Sequence, residues 1–348
     1  DFCLSRGLGD VYKRQAVNGE DLSQEEAVLA MSEIMNGEAT PAQIASFITA
    51  LRIKGETVDE ITGFARVMRE KVTRVKTRAE LLVDTCGTGG DAAHTFNIST
   101  ISALVAAGAG LYIAKHGNRS VSSKCGSADV LQALGVNIEA DAAIVARCID
   151  EVGIGFLFAP MLHPAMKHAI GPRREIGIRT VFNILGPLTN PAGAQFQVIG
   201  VYEAGLTETI ANVLNNLGSQ HVFVVHGGDG LDEITITDKT YVTELSDRQV
   251  RSYTIVPEDF DIPRASMSSL IGGTAEENAR ATLDVLRGEK SPRRDIVLLN
   301  SAAVLVAGGK ASDIAEGIQL AAESIDSGNA LKKLELLRRA SNSSFGKA

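Results

Sequence analysis

Apolar and polar positions follow two periods along this chain, and the change of period divides it. From residue 23 to the basic stretch near Arg74 apolar side chains recur at helical spacing; Ile44, Phe47, Ile48 and Leu51 are one such stripe. The flanking residues mark where each helix starts and stops. Ser23-Gln-Glu-Glu26 is a capping box, and the helix it opens stops at Gly37. Thr40 precedes Pro41 at the first position of a second helix, which runs to Lys54-Gly55. Thr57-Val-Asp-Glu60 opens a third. Their short connections predict a compact antiparallel cluster. Three short helices bury little surface alone, so their free faces are expected to meet another part of the chain or a second subunit.

Beyond a basic stretch at Arg74 to Arg78 the pattern becomes one of short apolar runs between helices. Strands are predicted at Leu81–Thr85, Leu111–Lys115, Gly155–Phe158, Gln197–Val201 and His221–Val225. Helices are predicted between them, including an alanine-rich one ending at Gly108 and another at Leu206–Leu217. Further helices are predicted at Glu276–Leu286, Asp295–Ala307 and Asp313–Ser324. This order implies an α/β fold with a mostly parallel central sheet flanked by helices, plus a small all-helical domain. The helical segment His163–Leu185 interrupts the alternation and is read as returning to the N-terminal cluster. The resulting division is 16–78 with 163–185 as the helical domain, and 79–162 with 186–348 as the α/β domain.

Composition narrows the classes. The chain has 348 residues, enough for one large domain or two, and its 45% hydrophobic and 22% charged content excludes wholesale disorder. No apolar run approaches the roughly 20 residues that span a bilayer, so no membrane partner is expected. A net charge of −8 disfavours nucleic acid. Cys3, Cys86, Cys125 and Cys148 lack metal-like pairing and read as free thiols in a reducing cytoplasm. Asp1 to Gln15 shows no period and no signal-peptide core. Its end, Asp10-Val-Tyr-Lys-Arg-Gln15, is encodable by a transposon end used in preparing sequencing libraries, so residues 1–15 are read as a leader foreign to the protein.

Candidate chemistry lies in the turns after predicted strands. Gly87-Thr-Gly-Gly-Asp91 joins a strand to a helix beginning near Ser99-Thr100. Glycines there let successive backbone N–H groups converge on an anion, and the helix adds its positive end; a purely structural turn is the plain alternative. Lys115-His-Gly-Asn-Arg-Ser-Val-Ser-Ser-Lys124 carries cations and hydroxyls directly after a buried strand, where open parallel sheets form their ligand crevice. Two phosphate-friendly segments favour a polyphosphorylated ligand. His116 alone reads as a structural histidine. The adjacent carboxylates Asp232-Glu233 suit Mg2+ beside phosphate, with a charged turn as the alternative. His163-Pro-Ala-Met-Lys167 and Arg173-Arg174 lie on the interrupting segment, where an Arg offers a planar fork to a carboxylate. Asn183 to Pro191 reads as a shaped loop, a hinge or a pocket wall.

Taken together, Gly87–Asp91, Asn97-x-Ser-Thr100, Lys115–Arg119 through Gly126–Asp129, His163–Met166, Arg179–Pro191 and His226–Glu233 resemble the anthranilate phosphoribosyltransferase family. The resemblance covers the chain from about Gly19 and implies a two-domain enzyme of tryptophan biosynthesis, a homodimer through its helical domain. It implies transfer of phosphoribosyl from 5-phosphoribosyl 1-diphosphate (PRPP) to anthranilate, with release of pyrophosphate. It assigns the donor to Gly87, Thr88, Gly89, Gly90, Asp91, Thr95, Asn97, Ser99, Thr100, Lys115, Gly117, Asn118 and Ser127. Anthranilate falls to Gly87, Asn118, His163 and Arg173, and Mg2+ to Ser99, Asp232 and Glu233. No general base is assigned. Two rivals remain at this point, a pyrimidine nucleoside phosphorylase-like enzyme using orthophosphate and a non-enzymatic relative that binds nucleic acid.

Overall fold

The computed structural model describes residues 11–90, 93–120 and 124–343. Its N-terminal part holds α1 (Tyr12–Val17), α2 (Gln24–Asn36), α3 (Pro41–Lys54) and α4 (Val58–Lys71). The predicted boxes form: Ser23 Oγ accepts the Glu26 N–H, and Glu26 accepts the Ser23 N–H at 2.9 Å. The box at Thr57 does more. Glu60 is fully buried, and its carboxylate also accepts the Leu22 N–H and the Lys54 ammonium, each at 3.0 Å. One cap thereby fixes how α2, α3 and α4 meet.

The structure departs from the sequence reading over the end of the leader. Residues 1–10 lie outside the described residues, but Tyr12–Val17 is helical and packs on α3. Tyr12 and Ala16, four positions apart, are both buried, a helical spacing too short to register as a period.

The α/β part runs through β1 (Val83–Thr85), α5 (Ile98–Gly108), β2 (Ile113–Gly117), α6 (Ser127–Ala133), α7 (Ala142–Arg147) and β3 (Ile154–Phe158). The intervening segment supplies α8 (Ala159–Leu162), α9 (Lys167–Ile176) and α10 (Phe182–Leu185). Then come β4 (Phe196–Gly200), α11 (Leu206–Asn216), β5 (His221–Gly227), β6 (Thr240–Ser246) and β7 (Gln249–Ile255). The chain closes on α12 (Ala275–Leu286), α13 (Pro292–Ala307), α14 (Ile314–Asp326) and α15 (Asn329–Asn342). The seven strands lie in the order β3-β2-β1-β4-β5-β6-β7. The first five are parallel, while β6 and β7 pair antiparallel. That hairpin and α15 escaped the sequence reading. Its turn, Asp247-Arg248, takes positive φ at both residues without a glycine (49° and 61°), so the usual Asn-Gly or Asp-Gly signal is missing.

Apolar cores cover both faces of the sheet. On one face α5, buried along its length, packs against α13, α14 and α15. On the other, Ala169, Phe182 and Leu185 share a core with Phe47 and Phe64 of the helical bundle and with Ile210 and Leu214 of α11. Helix α9 packs on α2 and α3. The bundle is thus joined to the sheet by apolar contact as well as by chain. From β1 the chain winds toward β2 and β3, and from β4 toward β5. Adjacent β1 and β4 therefore form a switch point, where the loops after their carboxyl ends diverge and leave a crevice. Among the described residues no helix is long and apolar enough to cross a membrane.

Candidate active site

The glycine loop sits in that crevice and is tied to β4. The Thr88 N–H donates to the Gly200 carbonyl at 2.9 Å, and the Tyr202 N–H donates to Thr88 Oγ1 at 3.2 Å. Gly89 and Gly90 follow with φ of +64° and +79°, a left-handed turn that suits glycine. The anion on this turn is a carboxylate: Gly89 N–H donates to Asp232 Oδ2 at 2.8 Å. Beside it the Ser99 N–H, in the first turn of α5, donates to Glu233 Oε1 at 3.1 Å. The structure therefore brings Asp232 and Glu233 against the loop and the helix N-terminus that the sequence offered to phosphate.

Space for this approach depends on glycine. A Cβ at Gly200 would lie 1.5 Å from the Asp232 carbonyl oxygen, and one at Gly87 would lie 2.6 Å from Asp232 Oδ2. Two residues outside the sequence-based assignment hold the acidic pair. Asp229 accepts from the Leu231 N–H at 3.2 Å, from Thr235 Oγ1 at 2.5 Å and from Thr237 Oγ1. Buried Asn300 on α13 accepts the Ile234 N–H at 2.9 Å and donates to the Ile234 carbonyl at 2.8 Å, clamping the backbone one residue past Glu233. Its one sequence signal is a lone amide in the apolar run from Ile296 to Ala307. Adjacent carboxylates with a nearby hydroxyl, Ser99, form an all-oxygen donor set in a glycine-walled recess, which fits Mg2+.

Lys115 lies at the middle of β2 as a buried cation. Its ammonium donates to the Thr85 carbonyl and lies 3.2 Å from Thr85 Oγ1 and 3.4 Å from Ser99 Oγ. The loop that follows is organised by Asp129, which accepts from the N–H groups of Gly126 (2.9 Å) and Ser120 (3.3 Å) and pairs with Arg119 at 2.7 Å. Arg119 is thus balanced within its own loop rather than offered whole to a ligand. Ser127 Oγ and the Ala128 N–H both donate to the Asn118 carbonyl at 3.2 Å, closing the loop over Gly117, where a Cβ would lie 2.4 Å from Ser127 Oγ.

His163 is brought to His116. Their Nε2 atoms are 3.2 Å apart, and His116 Nδ1 lies 3.1 Å from the Gly186 carbonyl. Burial drives both rings toward the neutral form, with pKa values pushed down to about 3 for His116 and about 4 for His163. Arg173 lies on α9, its guanidinium 5.1 Å from the centre of the Phe182 ring. It makes no ion pair among the described residues, and burial lowers its pKa. Arg174 is exposed.

The remaining assigned residues fall around the glycine loop or outside the description. Asp91 lies outside the described residues. Asn97 Oδ1 accepts from Asn278 Nδ2 at 3.0 Å, while its Nδ2 donates to the Cys125 carbonyl at 3.2 Å. Thr100 is buried, and its hydroxyl has no partner among the described residues. Thr95 lines a cavity of about 190 Å3 with Lys124, Gly272, Gly273 and Asn278. A larger cavity, about 390 Å3, opens at the amino ends of β1 and β4, between Lys76, Glu80 and Phe196, away from the crevice.

Asp84, Cys86 and His116 also converge, but Asp84 and His116 already have protein partners. Asp84 accepts from the His116 N–H at 2.9 Å and from Asn190 Nδ2 at 2.7 Å. Burial pushes the Asp84 carboxyl up to about 6 against the pull of Lys115, and it pushes the Cys86 thiol well above its ordinary range. A cation there would face the Lys115 ammonium.

A helical bundle facing loops at the carboxyl ends of a mostly parallel sheet defines a class, and the domain comparisons name it. The helical bundle domain of the glycosyl transferase family matches residues 12–72, and the a/b domain of that family matches residues 79–331. The anthranilate phosphoribosyltransferase of Symbiobacterium thermophilum is 58% identical, across 93% of this chain and 95% of its own length. The crystal structure of the Thermus thermophilus anthranilate phosphoribosyltransferase superposes with a TM-score of 0.91 at 42% identity, covering 95% of this chain and 99% of that one. The Saccharomyces cerevisiae anthranilate phosphoribosyltransferase in complex with PRPP and Mg superposes with a TM-score of 0.87 at 30% identity, covering 96% and 97%. That yeast protein has also been solved with 4-fluoroanthranilate. The chain belongs to the glycosyl transferase family and, within it, to the anthranilate phosphoribosyltransferases.

Proposed function

We propose that this chain transfers the phosphoribosyl group of PRPP to the amine of anthranilate, giving N-(5-phosphoribosyl)anthranilate and pyrophosphate for tryptophan biosynthesis. The observation that carries the reading is the reach of Asp232 and Glu233, across 143 and 134 positions of sequence, to the N–H groups of Gly89 and Ser99. It sets an acidic pair suited to a divalent cation directly against a loop suited to diphosphate.

The bond from the ribose C1 to the diphosphate oxygen breaks as the amine nitrogen bonds to C1, and the nitrogen gives up one proton to the departing diphosphate or to water. Positive charge develops on the ribose, and negative charge on the leaving group. Lys115, buried within β2, supplies a fixed positive charge beside Ser99, and the glycine loop supplies the backbone donors not already bonded to Gly200 and Asp232. Such preorganised donors are each typically worth about 3–4 kcal/mol to a transition state. Asp232, Glu233 and Ser99 would hold Mg2+, whose chemistry is to neutralise charge on the diphosphate. Asn118 and the loop to Ser127 hold the ribose and its phosphates. The acceptor is an aromatic amine, unprotonated at neutral pH, so it needs orientation more than a strong base. Arg173, partly buried and without an acidic partner among the described residues, binds its carboxylate, with His163 on the same wall.

Leu29 and Ile53, 54% and 82% exposed on the bundle, offer the apolar surface for a homodimer, which light scattering tests. A reducing cytoplasm is the compartment this reading implies, one in which Cys86 and Cys148 would stay thiols. The decisive assay follows anthranilate fluorescence with and without PRPP and Mg2+. Loss of anthranilate only when both are present is the expected result. Cleavage of a pyrimidine nucleoside with orthophosphate, and no use of anthranilate, would overturn the reading.

A further inference from the structure

Arg179 connects the two sides of the crevice. It lies just before Thr180 and Val181, which are buried, Val181 within the core shared with the helical bundle. Its own side chain is exposed and reaches the glycine loop, where Nη2 donates to the Gly90 carbonyl. The guanidinium lies 4.5 Å from the centre of the Tyr202 ring. Tyr202 in turn donates its N–H to Thr88 Oγ1. Among the described residues Arg179 makes no ion pair, and its guanidinium is held there by this carbonyl and this ring.

The loop is therefore held at three successive residues by three different partners. Thr88 is fixed by the β4 extension, Gly89 by Asp232 and Gly90 by Arg179. Two consecutive glycines carry a large conformational entropy, and a loop that must present its N–H groups in one direction needs external ties. The tie at Gly90 is the only one of the three that starts from the segment carrying His163 and Arg173. A Cβ at Gly90 would lie 3.3 Å from Arg179 Nη2, so the guanidinium lies flat against the turn.

We propose that Arg179 is a positioning residue: stacked on Tyr202, it latches the glycine loop to the acceptor-side segment and sets the loop's diphosphate-binding form. The inference rests on the donor assignment made above. Losing the latch leaves the loop to be ordered by the ligand, so the loss appears in the donor's binding. For an exposed charged hydrogen bond with a cation–π contact, about a tenfold loss is expected. The planar fork matters as well as the charge, so Arg179→Lys is expected to recover part of the loss.

The test pairs kinetics with calorimetry of inorganic diphosphate plus Mg2+ on the full chain. Arg179→Ala is expected to weaken diphosphate and to raise the KM for PRPP about tenfold, with the KM for anthranilate within about twofold and the melting temperature held. Tyr202→Ala is expected to do the same, and the double variant no more than either. Arg174→Ala, an exposed neighbour, is the control. Unchanged diphosphate binding in Arg179→Ala, equal losses for both substrates, or strictly additive losses with Tyr202→Ala would overturn the latch, as would a parent chain that binds no diphosphate. Arg179-dependent diphosphate binding without any transfer to anthranilate would leave the latch standing and overturn the functional reading instead.

Discussion

His163 and His116 form a buried pair whose proton positions follow from what surrounds them. A carbonyl only accepts, so His116 Nδ1 carries the proton that meets the Gly186 oxygen. In the neutral ring His116 Nε2 is then an acceptor, and His163 Nε2 must donate to it across 3.2 Å. This leaves His163 Nδ1 unprotonated. One backbone carbonyl in the shaped loop from Asn183 to Pro191 thereby sets the tautomer of a residue on the acceptor side.

The pair carries a pH signature. Both rings have pKa values below the ordinary 6.5, at about 3 and about 4. As pH falls below 6.5, the unfolded chain takes up protons that the folded chain refuses. Stability is full above that pH and is lost toward pH 4 and below, by on the order of a few kcal/mol. Asp84 opposes this. Its carboxyl is raised to about 6, so its contribution is full below its unfolded value and fades as pH rises toward 6. Urea unfolding of the parent and of a His116→Gln, His163→Gln double variant separates the two. The parent is expected to lose more stability between pH 7 and pH 5 than the double variant. Equal losses would mean the rings protonate in the fold.

Asn300 supports the acidic pair from beneath. Replacing it with Ala leaves the Ile234 N–H and carbonyl unpaired in a dry setting, at a cost of about 2–4 kcal/mol. Because Ile234 adjoins Glu233, the change is also expected to raise the Mg2+ concentration giving half-maximal rate several-fold. Thermal unfolding reports the first effect and a Mg2+ titration the second. A lower melting temperature with an unmoved titration would reduce Asn300 to a structural role.

The sequence carried most of the fold and the polar loops, but not the ties between them. Capping residues such as Ser23 and Thr57 act within four positions, so helix starts were legible. The β6–β7 hairpin was not, because Asp247 and Arg248 take left-handed backbone without announcing it. At the site, the glycine loop and the acidic pair each stood out by composition. That Asp232 would occupy the N–H of Gly89 was not legible, since the bond spans 143 positions and depends on Gly200 lacking a side chain. The neutralisation of Arg119 by Asp129 and the clamp from Asn300 are likewise tertiary facts.

The acidic pair is expected to govern use of the diphosphate donor. Asp232→Asn keeps an acceptor for the Gly89 N–H but removes charge, and Glu233→Gln does the same for Ser99. With the loop geometry kept, the loss should fall on metal-dependent donor binding. The double variant is expected to need at least tenfold more Mg2+ for half-maximal rate, or to lose activity, while its melting temperature stays near the parent's. Full turnover of the double variant at low Mg2+ would remove these carboxylates from the metal assignment.

Arg173 is expected to separate the two substrates. Its guanidinium lies over Phe182, partly buried, with no ion pair among the described residues. A planar, charged fork in that setting gains most from a carboxylate that shares the desolvated space. Such a charge-assisted bond is worth about 1.5–3 kcal/mol, or roughly ten- to over a hundredfold in affinity. Arg173→Ala should raise the Michaelis constant for anthranilate by that factor and leave that for PRPP nearly unchanged. Arg173→Lys keeps the charge without the fork and should fall between. Arg174 is exposed and about 100° away around α9, so Arg174→Ala should do little. An analogue lacking the carboxylate supplies the internal check: if Arg173 binds that group, aniline should lose nothing further when Arg173 is removed. A loss shared equally by anthranilate and PRPP, or a larger effect at Arg174, would place the carboxylate elsewhere.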